Sequence, residues 1–377
     1  MRHQLTVFVA VLLAISVVAP VAGATAATTG AAVQDSEAQC EYPLTITDAS
    51  GEEVTIDDEP ESVVTLYPGD AQLAYSIGAE DKVVGMPVGQ YTDSLDAGDR
   101  TDISEDDGVT PNAEEIVALD PDVVLAANIA LGQEDLLETL EDADITVVVL
   151  DTANSIDDVH DNVRTTGEVT GECESAEETV EWMDDRLEVV ADALEDEEAP
   201  LAYYDSGDDG ATFGAETFQH DVLTAGGLDN LAAEAGEEGW VMMSPETVVD
   251  EDPEWVVYPD REDAPPSADN LEETTAFQED NIHAVDDNAV SQPAPDVVYV
   301  VESLVETVHP DVYDEIESDL ADVDDAHAIG DDANGEDDDA DDADASDDGD
   351  DDSIPGFGIP VAAAAVLAVA GFLLRRR

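Results

Sequence analysis

The chain has 377 residues, of which 97 are acidic and 9 are basic, so its formal net charge at pH 7 is -88. Such a charge repels phosphate groups and argues against nucleic acid as a partner. It also strains a compact fold in dilute buffer, whereas molar salt reduces the screening length to about 3 Å. The composition is therefore typical of a protein from a halophilic archaeon, in which most carboxylates form a solvated surface.

The N-terminus has the layout of a secretory signal. Arg2 and His3 form a short positive region, an apolar stretch runs from Leu5 to Ala19, and small residues lie around Ala22-Gly23-Ala24. We assign residues 1–24 to a signal peptide and residues 25–39 to a flexible segment. The remaining chain is then expected outside the cytoplasm.

Two cysteines, Cys40 and Cys173, are the only ones in the chain. A disulfide persists outside the cytoplasm, and no histidine lies close to either cysteine in sequence, which makes a metal site the weaker alternative. We predict a bridge that ties the start of the mature chain to a long helix.

Short β-branched runs alternate with helical stretches from residue 40 to residue 171. The predicted strands are Val63–Leu66, Val83–Met86, Val123–Ala126 and Thr146–Leu150, and the predicted helices are Ala71–Ile77, Ala113–Leu119 and Leu136–Leu140. This rhythm indicates a parallel sheet that is covered by helices on both faces.

The spacing of apolar residues changes at Ser175. From there to Leu194 they recur every three or four residues, with no glycine or proline, which predicts one long helix within residues 172–198. After Pro200 the α/β rhythm resumes and continues to residue 325. The predicted fold class is therefore α/β, with two lobes (40–171 and 199–325) that have parallel-type central sheets and are joined by a single long helix.

The C-terminal region has the composition of a stalk and an anchor. Residues 326–353 are rich in aspartate, which favours an extended, disordered segment. Ile354–Leu374 has no charged residue and reaches roughly 30 Å as a helix, enough to span a bilayer. The arginines at 375–377 would be retained on the cytoplasmic side.

The order of Pro355-Gly356-Phe357, apolar helix and arginines in residues 354–377 resembles the PGF-CTERM signal of archaeal surface proteins. The resemblance implies cleavage by an archaeosortase-type enzyme and replacement of the helix by a lipid. A plain transmembrane anchor remains the alternative. Either interpretation predicts a protein on the outer face of the cell membrane.

Five runs in the body of the chain resemble class III substrate-binding proteins of ABC importers. They are PESVVTLYPGDAQLAYSIGAEDKVVGMP (60–87), TPNAEEIVALDPDVVLA (110–126), TGEVTGE (166–172), TFGAETFQHDVLTAGGLDNLA (212–232) and SPETVVDEDPEWVVYP (244–259). The resemblance implies the helical-backbone periplasmic-binding-protein fold, whose cleft captures cobalamin, an iron-siderophore or haem for an ABC permease and its ATPase. Because one helix joins the lobes, we expect modest closure.

Open α/β sheets place ligands at the carboxyl ends of their strands. In this chain that rule selects four aromatic residues as ligand contacts, since large planar ligands are held chiefly by apolar and aromatic side chains. They are Tyr67 and Tyr91 in the first lobe and Phe213 and Trp240 in the second.

The family resemblance also implies two docking residues, because each lobe carries one acidic residue that meets permease arginines. The matching positions are Glu114 and Glu246, each near the start of a short helix. Glu115 could replace Glu114, and a simple interaction with the helix dipole is the alternative for both.

Motifs of enzymes are absent from the sequence. It contains no nucleophile elbow, no HExxH pair, no phosphate loop and no dinucleotide fingerprint, and its six histidines do not cluster. We therefore expect a binding protein with no catalytic residues, no metal site and no cofactor beyond its ligand. A surface-anchored sensing or interaction protein that uses the same fold without transport is the alternative.

Overall fold

The computed structural model describes residues 40–105, 107–207, 210–261 and 264–327. The predicted signal peptide, the flexible segment after it, the anchor and all but the first two residues of the stalk lie outside these residues. None of the described helices is both long and apolar enough to cross a membrane.

The first lobe is built on a five-stranded parallel sheet. Its strands are β3 (Val63–Thr65), β4 (Val83–Met86), β5 (Thr101–Asp102), β6 (Val123–Ala126) and β7 (Thr146–Val149), in the order β5-β4-β3-β6-β7, and an antiparallel hairpin of β1 (Leu44–Thr47) and β2 (Glu53–Ile56) precedes them. Strands β3 and β6 are buried along their whole length. Their continuous apolar runs suit a sheet that is covered on both faces.

Four α-helices precede the crossing in the described residues, which begin at residue 40. They are α1 (Pro68–Ser76), α2 (Ala113–Leu119), α3 (Glu134–Asp142) and α4 (Ile156–Thr170). We did not predict α4. Its buried face mixes valines with His160, Thr166, Gly167 and Thr170, so the apolar periodicity that identifies a helix is weak there.

Helix α5 (Cys173–Leu194) then carries the chain to the second lobe. Gly171, at φ 88°, ends α4 in the left-handed conformation and lets the chain turn into α5. Every strand before α4 belongs to the first lobe, and every strand after α5 belongs to the second. The crossing is therefore helical, and the predicted fold class is confirmed.

The second lobe has a four-stranded parallel sheet in the order β10-β8-β12-β13 and a separate antiparallel pair, β9 and β11. The strands are β8 (Leu201–Tyr204), β9 (Ala211–Phe213), β10 (Asp229–Asn230), β11 (Trp240–Met242), β12 (Trp255–Pro259) and β13 (Ile282–Val285). The helices are α6 (Phe218–Ala225), α7 (Leu231–Glu234), α8 (Pro245–Glu251), α9 (Ala268–Leu271), α10 (Thr275–Glu279), α11 (Asp287–Ser291), α12 (Val297–Val308) and α13 (Pro310–Ala326).

Helix α5 is held by a disulfide at its first residue and by ion pairs farther along. Cys173, its first residue, forms a disulfide with Cys40, the pair for which we predicted a bridge. Farther along, Arg186 is almost completely buried and forms ion pairs with Glu302 of α12 and Asp324 of α13. Trp182 also donates a hydrogen bond to Asp324 at 2.9 Å. The crossing helix is thereby held to the last two helices of the second lobe.

Candidate ligand cleft and docking surface

The carboxyl-terminal edge of the first sheet faces the second lobe. Gln292, which follows α11, donates a hydrogen bond from Nε2 to the carbonyl oxygen of Tyr91 at 3.5 Å. A Cβ placed on Gly69 would lie 3.7 Å from the Cβ of Gln292. Gly69 and Tyr91 follow β3 and β4, and Gln292 lies beyond the carboxyl end of β13. The loops after the strands of both sheets therefore meet where the two lobes contact each other, which is the candidate position of the ligand cleft.

Exposed apolar side chains mark these loops. Among the described residues, the large apolar side chains that remain exposed are Val88, Ile129, Leu131, Trp240 and Met242. The first three follow β4 and β6 at the carboxyl edge of the first sheet, and the other two lie on β11 of the second lobe. Exposed apolar side chains that share one surface are typical of binding sites, so these five residues are candidates for ligand contact. Sequence reasoning found only Trp240, although apolar residues directly after a strand were a usable signal.

Trp240 is presented by the antiparallel pair of β9 and β11. Trp240 and Met242 alternate with Val241, which packs against a buried cluster of the second lobe. Because side chains alternate along a strand, Trp240 and Met242 project from the same face of β11. The indole is 61 % exposed. Trp240 is thus available for contact and contributes little to the core.

The other predicted aromatic contacts are more enclosed. Tyr67 is only 7 % exposed, and its hydroxyl accepts a hydrogen bond from Nε2 of Gln133. Burial, with a smaller effect of the Asp70 carboxylate, raises the pKa of Tyr67 to about 12. Phe213 is half-buried and packs edge-to-face on Tyr204 with ring centroids 5.7 Å apart. Tyr91 is also half-buried, and its position beside Gln292 places it at the meeting of the lobes.

Glu114 and Glu246 occupy equivalent positions in a structural motif that occurs once in each lobe. Asn112 caps α2 and Ser244 caps α8, in each case by accepting hydrogen bonds from backbone N–H groups of the first turn. Each glutamate is the second residue of its helix, and both are exposed. Glu115 corresponds to Thr247, so the equivalence favours Glu114 over its neighbour.

The equivalence of α2 and α8 extends to their ends. Both helices have seven residues, bury one side chain at the fourth position and end at an aspartate in the left-handed conformation, Asp120 at φ 49° and Asp252 at φ 50°. A proline follows each aspartate and leads into β6 or β12. The two lobes therefore present two matching carboxylates on matching helix–strand units.

A cavity of about 930 Å³ opens beside Glu114, between α2 and α3. Its apolar lining includes Leu131 and Leu136, and carboxylates of Glu105, Glu114 and Glu134 lie on its walls. A carboxylate-lined surface attracts cations and repels anions. The chemistry around Glu114 therefore suits a basic side chain of a partner.

The described loops at the cleft offer little positive charge. Arg100, at the end of the loop after β4, donates hydrogen bonds to the backbone carbonyl oxygens of Glu80 and Asp96. Arg261 follows β12, and its Nη1 lies 2.6 Å from a carboxylate oxygen of Asp287. Its Nη2 donates to the carbonyl oxygen of Ser206 at 3.0 Å. This pairing neutralises the guanidinium and leaves the cleft poorly suited to a ligand with several anionic groups.

Two histidines of the second lobe make hydrogen-bond contacts with neighbouring polar side chains. His283 contacts the hydroxyls of Ser303 and Thr307, and His220 contacts Asn230. Within the described ranges no group of three or more His, Cys, Asp or Glu side chains is arranged to hold a metal ion.

Comparison with known proteins agrees with this architecture. A family described as "Periplasmic binding protein" matches residues 63–292. The chain is 37 % identical over 320 residues to a cobalamin-binding protein of Halobacterium salinarum, a match that covers 82 % of this chain and 85 % of the relative. It is 30 % identical over 282 residues to the ABC transporter substrate-binding lipoprotein YvrC of Bacillus subtilis, covering 73 % and 88 %.

A solved structure of the haem-binding protein HmuT has the same fold. It shares 21 % sequence identity, covers 72 % of this chain and 91 % of its own, and gives a TM-score of 0.59. At this identity the likeness concerns the fold alone. The family and the relatives are binding proteins and not enzymes. From its matching sequence, its two lobes and its helical crossing, this chain belongs to the periplasmic binding protein family.

Proposed function

We propose that this chain is the extracytoplasmic binding component of an ABC importer, and that it captures a cobalamin-like corrinoid in the cleft and delivers it to the permease. The observation that carries the proposal is the set of exposed apolar side chains after β4 and β6 in the first lobe and on β11 in the second, above all Trp240 and Ile129. Large ligands with a flat macrocycle bury their faces against such side chains. The relative named as a cobalamin-binding protein, with 37 % identity, supports the corrinoid among ligands of this shape.

Charge distinguishes the corrinoid from haem and from anionic siderophores. The rim of cobalamin carries neutral amides, whereas haem carries propionates and catecholate siderophores carry several negative charges. Buried anions need positive partners. Arg261 is already paired with Asp287, and the surrounding carboxylates repel further negative charge. The cleft therefore favours a large ligand with few anionic groups.

Binding titrations in molar salt test the choice of ligand. We expect cyanocobalamin to bind the purified protein more tightly than hemin or a ferric siderophore, because it places neutral groups beside the acidic rim. Intrinsic fluorescence of the tryptophans or calorimetry measures the affinity. Tighter binding of hemin or of the siderophore would contradict the corrinoid assignment and would leave the fold family untouched.

Replacing Trp240 with alanine is expected to weaken cyanocobalamin binding by about 2 kcal/mol, or roughly thirtyfold, because aromatic anchors dominate binding energies. The midpoint of thermal unfolding should change little, since the indole is mostly exposed. Trp240→Phe keeps an aromatic face and should recover most of the affinity. If Trp240→Ala binds as well as the wild type, the ring is only a surface residue.

Delivery completes the proposed function. Glu114 and Glu246 are the proposed contacts with arginines of the permease, and the ATPase of the importer would use the docked complex. We also propose that the signal peptide and the PGF-CTERM segment keep the protein on the outer face of the membrane, with processing by an archaeosortase-type enzyme. These last segments lie outside the described residues.

A further inference from the structure

Asp70 is a buried carboxylate that the proposed ligand contacts do not include. It is the third residue of α1 and is 1 % exposed. None of the ion pairs in the described part of the chain involves it; Lys82, for example, pairs with Glu59 and Glu172. Burying a carboxylate without a cation costs free energy, so the hydrogen bonds that Asp70 accepts must stabilise its charge.

One oxygen of Asp70 connects two loops of the cleft. Its Oδ2 accepts a hydrogen bond from the backbone N–H of Tyr67, after β3, at 2.9 Å. The same oxygen accepts the N–H of Ala127, after β6, at 3.0 Å. Strands β3 and β6 are neighbours in the sheet. The carboxylate thus joins the two chain segments that leave adjacent strands at the edge facing the second lobe.

The segment that Asp70 holds carries part of the apolar surface. A short 3-10 helix, Asn128–Gly132, begins directly after Ala127 and exposes Ile129 and Leu131. Its far end is fixed too, because Gln133 donates a hydrogen bond to the hydroxyl of Tyr67. Asp70 therefore restrains this segment at its start, through Ala127, and Tyr67 restrains it at its end, through Gln133.

We propose that Asp70 is a positioning residue of the ligand site, whose carboxylate fixes the segment Ala127–Gln133 so that Ile129 and Leu131 form a preorganised apolar wall for the ligand. This inference rests on the proposed ligand capture. Preorganised loops bind more tightly because less conformational freedom is lost on binding. Loss of the carboxylate charge weakens both hydrogen bonds, since charge-assisted bonds are about twice as strong as neutral ones.

The buried surroundings of Asp70 shift its protonation into the range near neutral pH. Burial raises the pKa of Asp70 to about 7, although the backbone N–H groups that bond to it oppose the rise. Helix α1 packs against β3, β4 and α4. The two strands carry no titratable side chain, and Gln292 of the second lobe is uncharged. The titratable groups on α4 are Asp157, Asp158, His160, Asp161, Arg164 and Glu168. Tyr67, at the start of α1, stays neutral at this pH.

The test compares Asp70→Asn with Asp158→Asn in molar salt. Asp158 is a matched control, because it is also the third residue of its helix and accepts a backbone N–H from the capping residue, Ser155. In the wild type we expect affinity for cyanocobalamin to fall about fivefold between about pH 8.5 and pH 6, as the bonds to Asp70 lose charge assistance. Asp70→Asn should bind about fivefold more weakly at the higher pH, with a flat profile. Asp158→Asn should follow the wild type.

Hydrogen exchange of the ligand-free protein provides a second measurement that does not depend on the ligand. Amides of residues 127–133 should exchange faster in Asp70→Asn than in the wild type or in Asp158→Asn. Unchanged exchange there, or a wild-type pH profile of affinity in Asp70→Asn, would overturn the positioning role. If the wild type does not bind cyanocobalamin at all, the proposed ligand is wrong, and the exchange experiment still decides the role of Asp70.

Discussion

Reversing the charge of both glutamates that we propose for docking, Glu114→Lys with Glu246→Lys, is expected to reduce ligand uptake by cells to background. Each carboxylate is exposed at the second position of its helix, and the two lie on equivalent units of the two lobes. Like charges brought together across an interface cost several kcal/mol, so lysines opposite permease arginines should prevent docking. The affinity of the isolated protein for its ligand should stay within about twofold, because neither glutamate is a proposed ligand contact, although Glu114 lines the same cavity as Leu131.

The control for this experiment is the variant Glu115→Lys with Glu251→Lys. These residues lie on the same two helices, are exposed and change the net charge by the same amount. Uptake should remain near the wild-type level in the control. Normal uptake in the Glu114 and Glu246 variant would show that both residues are ordinary solvated surface carboxylates. It would favour a sensing role without transport. Equal loss in both variants would indicate a general electrostatic effect.

Replacing Arg186 with methionine is expected to lower the free energy of unfolding by about 3–5 kcal/mol, because it leaves a buried carboxylate without its cation. Glu302 accepts two hydrogen bonds from the guanidinium, at 2.6 and 2.7 Å, and both side chains are almost completely buried. The guanidinium also lies over the rings of Trp182 and Tyr299. Denaturant unfolding in molar salt measures the loss.

Two further variants separate charge from packing at Arg186. Arg186→Met with Glu302→Met removes the buried pair together and should recover much of the stability, since apolar replacements of buried pairs are often neutral. Arg164→Met removes a partly exposed pair with Glu177 and should cost less than about 1 kcal/mol. A loss as small as this in Arg186→Met would show that the pair does not hold α5 to the second lobe.

The fold is predicted best where the sequence has one clear pattern, either a run of β-branched residues or a regular helical spacing of apolar residues. Strands β3 and β6 are buried runs of mostly β-branched residues, and the apolar residues of α5 recur every three or four positions. Helix α4 escaped prediction because its buried face contains His160, Thr166 and Thr170. Those side chains are buried by tertiary packing, which a single-sequence pattern does not encode.

The loops that we propose as the ligand cleft can be located from the sequence, whereas the exposure of their side chains cannot. The rule that ligands bind at the carboxyl ends of parallel strands identifies the loops. It does not say that Tyr67 is enclosed while Trp240 is exposed, because that difference depends on Gln133 and on the pairing of β9 with β11. The choice of Glu114 over Glu115 likewise depends on helix register, which becomes visible when α2 is compared with α8.

The bond between Cys40 and Cys173 joins residues 133 positions apart and closes nearly the whole first lobe into a covalent ring. The second lobe has no cysteine and remains an open chain when unfolded. Closing a ring of this size stabilises the folded state by about 5 kcal/mol through the lost freedom of the unfolded chain. A reductant therefore lowers the stability of the first lobe and has no direct effect on that of the second, so the redox state of the medium sets the difference in stability between the two lobes.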